Sequence, residues 1–166
     1  MRSIVSVICL LIVSTTAFAA TQPLTEPVTA IVVEKAKRQL TLFNKNRVVK
    51  TYRVALGGNP IGHKQQEGDS RTPEGAYTID ARNPNSSFHL SLHISYPNKA
   101  DRKSARLRDV PPGSAIMIHG TPGGLGIVNA LGFYADWTAG CIAVSNTEIE
   151  EIYASIKNGT PIFIRP

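Results

Sequence analysis

Apolar and polar positions follow two periods along this chain, and most of it follows the shorter one. From Val28 the stretches "TAIVVEK" and "RQLTLFNK" are apolar and β-branched, with a break at Lys35 to Lys37, and "RVVKTYRVALG" follows the turn-like "NKN". That pattern predicts a three-stranded meander. In "SFHLSLHISY", Phe88, Leu90, Leu92, Ile94 and Tyr96 fall on one face and His89, Ser91, His93 and Ser95 on the other. This is the period of two of a strand with one polar face. "AYTID", "SAIMIHG", "GCIAVSN" and "TPIFIRP" read as further short strands.

The helical period appears clearly once, in "SNTEIEEIYASIKNG". Ser145 and Glu148 fit a capping box, Ile149, Ile152, Tyr153 and Ile156 form an apolar stripe, and Asn158-Gly159 supplies the stop. "NKADRKSARLRDVPPG" is a polar helix or loop closed by its Pro pair, and "GGNPIGHKQQEGDSRTPEG" reads as a long surface loop. The expected class is mainly β with a few short helices, in a single domain. No internal repeat interrupts it.

Composition changes the picture at the N-terminus. "MRSIVSVICLLIVSTTAFAA" has a cation at Arg2, an apolar run from Ile4 to Val13 and the small-x-small site Ala17-Phe18-Ala19. Residues 1–19 are therefore expected to be a cleaved signal peptide, 20–27 a flexible lead and 28–166 the domain. The expected location is the periplasm or cell wall. A permanent membrane anchor is the weaker alternative, because the run is short and lacks a cationic stop-transfer flank. Cys9 leaves with the signal, so Cys141 remains as a lone thiol and a disulfide scaffold is excluded. A hydrophobic content of 42% allows burial to stabilise the fold instead. The net charge of +6, one lower without Arg2, suits either ordinary solubility or attraction to anionic wall polymers. No Lys/Arg run is interleaved with aromatics, so nucleic acid is not indicated. Oligomeric state is not legible.

Candidate chemistry lies in the last third. His119 ends one strand, Cys141 begins another, and a Gly-rich interval separates them. A thiol with a pKa near about 8.5 needs a base to attack a carbonyl well at neutral pH. Backbone amides of Ala139, Gly140 and Cys141 in the "TAGC" turn are candidates for an oxyanion hole. The competing reading is a small buried thiol beside an unrelated His. Arg71, Trp137 and Thr138 are candidate substrate contacts. His89 and His93 read as groove lining rather than a metal site, with no carboxylate expected in register; His63 reads as exposed and Ser145 as a helix cap.

"IHGTPGG…DWTAGCIAVSN", together with "GDSRTPEGAYTI" upstream, resembles the L,D-transpeptidase catalytic domain family (YkuD-like) over roughly Val28 to Pro166. The resemblance implies a β-sandwich or open-barrel fold and no metal or organic cofactor. It implies as substrates peptidoglycan stem peptides, attacked at the diaminopimelate carbonyl with release of D-Ala and transfer of the acyl group to an amine. By position, Cys141 becomes the nucleophile, His119 the general base and later acid, and Gly120 the backbone orienter of the imidazole. The family's usual "SHGCIR" reads "TAGCIA" here, with Ala139 and Ala143 replacing His and Arg, as in a YafK-like branch that includes hydrolases. Hydrolysis at the same Cys-His site (L,D-carboxypeptidase, endopeptidase or amidase) and a non-catalytic wall-binding module stand as the alternatives.

Overall fold

The computed structural model describes residues 24–122 and 135–166. The expected signal peptide and most of the Gly-rich interval lie outside these. Eight strands form one sheet in the order β3-β2-β1-β8-β4-β5-β6-β7. In chain order they are β1 (Ala30–Glu34), β2 (Gln39–Asn44), β3 (Arg47–Arg53), β4 (Gly75–Ser86), β5 (His89–Ile94), β6 (Met117–His119), β7 (Ile142–Ala143) and β8 (Pro161–Arg165). Helix α1 (Lys99–Leu107) precedes β6, and α2 (Asn146–Ser155) follows β7. The sheet curls into a half-barrel, the open-barrel form of the expected fold, in a single domain.

Alternation decides which face turns inward. Ile31, Val33, Leu40, Leu42, Ile79, Leu92, Ile94, Ile118, Ile142 and Ile162 are fully buried and form one core with Ile149 and Ile152 of α2 and with Ile156 at its C-terminal end. Each such side chain contributes roughly 1.5–3 kcal/mol by leaving water. β8 enters between β1 and β4, parallel to the first and antiparallel to the second, so the last strand lies inside the sheet.

Both helices of the described residues start on capping boxes, Asn98 with Asp101 and Ser145 with Glu148, the second as expected. α2 is closed by Ile156 rather than at Asn158-Gly159. Of the lead expected over 20–27, Leu24 donates its N–H to Ser155 Oγ at 3.1 Å and packs against the core, while Glu26 pairs with Arg47.

β4 runs to Ser86, well past the expected "AYTID", because its extension pairs with β5 as a hairpin that projects beyond the core. Phe88, expected on the core face, sits in the hairpin turn beside His89, whose φ of 73° breaks the alternation. The long loop before β4 is secured by Lys35, 2% exposed, which donates to Gly62 O at 2.6 Å, Thr72 O at 3.1 Å and Glu74 Oε1 at 2.7 Å. Every ammonium proton of this buried cation has an acceptor, which is the condition for burying it. His63 is not a bare loop residue: it accepts the Glu74 N–H at 2.9 Å and meets the buried Asp101 at 3.2 Å.

Candidate functional site

Where one face of β4 to β7 builds the core, the opposite face builds a cavity. Cross-strand partners share a face, and the register aligns Asn83 with Ser91, Ser91 with His119, and His119 with Ala143. Cys141, two residues before Ala143, continues that face at the mouth of β7. His119 and Cys141 line a cavity of about 600 Å³ together with Ala139, Thr138 and Trp137. Its far wall is the hairpin end, with Asn83, Asn85, Ser86 and Ser87, and its floor includes Ala115 and Met117.

The imidazole of His119 is buried, and Nδ1 lies 2.6 Å from the Gly120 carbonyl oxygen. A carbonyl only accepts, so Nδ1 carries the proton and Nε2 keeps its lone pair. Burial pushes the His119 pKa below the usual imidazole range, with the Gly120 bond pulling the other way. Phe88 packs on the ring at a centroid distance of 4.6 Å, and Trp137 meets it edge-on at 5.7 Å. Gly120 has no room for a side chain: a Cβ would fall 2.5 Å from Asn146 Oδ1 and 2.9 Å from the Phe88 carbonyl oxygen.

Cys141 is half-buried and is the only free cysteine among the described residues, its Sγ 3.5 Å from the Ala115 carbonyl oxygen. Burial raises the thiol pKa, against smaller opposing effects of the Met117 backbone and the Lys64 charge. Both shifts favour the uncharged forms, thiol and neutral imidazole.

The Cys141 turn is braced from within. Thr138 Oγ1 donates to the Cys141 carbonyl at 2.8 Å and accepts the Gly140 N–H at 3.1 Å. The Thr138 hydroxyl, a candidate substrate contact, and the Gly140 amide are both engaged within the turn. Of the three amides expected at an oxyanion hole, those of Ala139 and Cys141 remain. Gly140 holds φ +131°, and a Cβ there would lie 2.6 Å from the Arg71 carbonyl oxygen. Gly140→Ala is expected to cost about 2–4 kcal/mol from backbone strain and overpacking, read as a lower melting temperature together with slower modification of Cys141.

Arg71 meets the site through its backbone only. Its guanidinium lies by Gly62, its Nε is buried without a partner, and its side chain does not line the cavity. The "RTPEG" segment instead supplies a floor under the turn: Thr72 Oγ1 accepts the Gly57 N–H at 3.1 Å, and Ser70 and Arg71 carbonyls press on Gly57 and Gly140. Trp137 lines the cavity.

None of the described lining residues carries a fixed charge, and the undescribed 123–134 contains no Lys, Arg, Asp, Glu or His. Ala143, expected at the family's Arg position, is 1% exposed and lies between His119 and Ala55. His89 and His93 each have a carboxylate after all, Glu150 at 2.7 Å and Asp80 at 2.5 Å. Among the described residues no three His, Cys, Asp or Glu converge as metal ligands. Nor is any described helix long and apolar enough to cross a membrane. The sequence signals for Phe88 and Thr138 were weak: Phe88 fitted a core alternation, and Thr138 was one polar residue beside a nucleophile motif.

Residues 28–164 match the L,D-transpeptidase catalytic domain family, YkuD. YafK of Escherichia coli (strain K12) is 27% identical over 142 residues, which cover 82% of this chain and 50% of that protein. The chain spans about half the length of the curated relatives it matches. Among solved structures, the helical cell shape determining protein Pgp2 from Campylobacter jejuni superposes with a TM-score of 0.61 at 23% identity, covering 83% of this chain and 46% of that one. Bd1075 of Bdellovibrio bacteriovorus gives 0.59 at 26% identity, over 87% of this chain and 51% of its own. The likeness to Pgp2 is one of fold.

Proposed function

The chain belongs to the L,D-transpeptidase catalytic domain family, and from that premise we propose that it transfers peptidoglycan stem-peptide acyl groups through a Cys141 thioester. The leader over 1–19 would export the domain to the periplasm or cell wall. The observation that carries the reading is the His119 imidazole, whose Nδ1–H is committed to Gly120 and whose Nε2 lone pair is left for the cavity that Cys141 lines.

In the first half-reaction Nε2 takes the Sγ proton as Sγ bonds to the diaminopimelate carbonyl carbon. The oxygen becomes an oxyanion facing the Ala139 and Cys141 amides. Collapse breaks the C–N bond, and Nε2–H protonates the departing D-Ala amine. An acceptor amine then attacks the thioester, gives its proton to His119 and releases the Cys141 thiol. Trp137 and the Asn83–Ser87 wall flank the acyl chain.

A second reading ends in water instead of an amine. For such a reaction the uncharged lining and Ala143, which put no cation among the described lining residues for the carboxylate of a stem terminus, suit an amide inside a linked stem as the donor. Incubation with disaccharide tetrapeptides, with products separated by chromatography and weighed, decides between them. The transfer reading expects cross-linked dimers. Tripeptide alone supports hydrolysis, and unchanged substrate contradicts both on this donor.

A further inference from the structure

Asp136 stands five positions before the nucleophile, and its partner comes from the other end of the chain. Arg38, in the turn between β1 and β2, directs Nε to both carboxylate oxygens at 3.0 Å and Nη2 to Oδ2 at 2.7 Å. The guanidinium is itself fixed, because Nη1 donates to the Lys35 carbonyl at 2.5 Å. Its backbone holds φ 51°, and its carbonyl accepts the Val54 N–H at 2.9 Å. On the other side, Asp136 Oδ1 accepts the Leu56 N–H at 2.9 Å. The Leu56 carbonyl then accepts the Thr138 N–H at 3.1 Å, and the Thr138 carbonyl accepts the Gly58 N–H at 3.0 Å. The side chains are 29% and 15% exposed, so water screens the pair only in part.

These bonds converge on one end of one short turn. The C-terminal end of the Asp136–Cys141 segment is held by β7, through Ile118 and Ala55. Thr138 and Gly140 brace its middle. Among the described residues, its start is held by the Arg38–Asp136 contact, by the backbone of Leu56 and by the packing of Trp137 on Phe88 and His119. A rigid fork is the residue type for this: a Lys would keep the charge and lose the two-point geometry.

We propose that the Arg38–Asp136 pair is a positioning device for the nucleophile, setting the turn so that Cys141 Sγ and the Ala139 and Cys141 amides address the same carbonyl. This rests on the reading of Cys141 as nucleophile. Neither residue lines the cavity, so the pair acts on the turn and not on substrate. Its loss lowers kcat and leaves KM nearly unchanged, the mark of a group that matters in the transition state rather than in binding.

The test uses the full chain with Asp136→Asn and Arg38→Lys, singly and together. Acylation of Cys141 by a carbapenem is followed by intact mass, kcat and KM are measured on disaccharide tetrapeptide, and melting is recorded for each protein. Displacement of a reacting group by a fraction of an ångström to one ångström gives losses of about 10- to 100-fold. Losses in that range are expected in acylation rate and kcat, with KM within about twofold and a cooperative melt retained. The double variant should be no slower than the slower single, because both substitutions break one device. Folded variants that acylate at the wild-type rate overturn the proposal, as does a double variant whose losses multiply. Arg38→Lys keeps a cation beside Asp136 and decides the matter if Asp136→Asn does not fold. A wild type that fails to acylate overturns the nucleophile reading and the proposal with it, whereas equal rates in wild type and variants overturn the positioning role alone.

Discussion

Cys141→Ala is expected to abolish turnover, by a factor on the order of 10⁴ or more, while leaving a folded protein. The chemical loss is complete because no other described residue of the cavity is a thiol, and the Thr138 hydroxyl is tied into the turn on both sides. The structural loss is small. Cys141 is half-buried and its Sγ makes only weak contacts, to the Ala115 carbonyl at 3.5 Å and to the Met117 backbone, so the change in stability stays within about 1 kcal/mol. Product analysis on disaccharide tetrapeptide and a melting curve check the two halves separately. Turnover retained in this variant would move the chemistry elsewhere.

His119→Ala is expected to lower kcat about 10²- to 10⁴-fold, the usual worth of a positioned general base, and to change the shape of the pH profile. Burial holds the imidazole pKa below its ordinary value of about 6.5. The base form is neutral, so wild-type kcat/KM rises as pH climbs through that depressed pKa and is already near its plateau at neutral pH. Burial raises the thiol pKa, so little free thiolate exists there to bypass the base. Without His119 the acid limb disappears, and the residual rate keeps rising with pH toward the thiol's own elevated pKa. An unchanged profile in the variant would remove His119 from the chemistry.

Much of this was legible along the chain. Strict alternation places Leu92 and Ile94 in the core, and Ser145 with Glu148 starts α2, because both signals depend on neighbours a few residues apart. Phe88 shows the limit. Its spacing fits the core face, but the positive φ at His89 turns the chain and delivers the ring to His119. The extension of β4 to Ser86 was hidden because an exposed hairpin needs no apolar period. Arg71 sits in a recognisable motif, yet it is the carbonyl oxygen that touches the turn while the guanidinium turns away toward Gly62. Local sequence does not say which end of a residue is used. Arg38 and Asp136 are 98 positions apart, and no local pattern couples them. Likewise, no local pattern places β8 between β1 and β4, where it joins the two halves of the sheet.

The proposed chemistry depends on one covalent event at Cys141, and intact mass after incubation with a carbapenem observes it directly. Wild type is expected to gain the mass of one adduct, mapped by peptide digestion to Cys141, and Cys141→Ala to gain none. A folded wild type that stays unmodified would contradict the account.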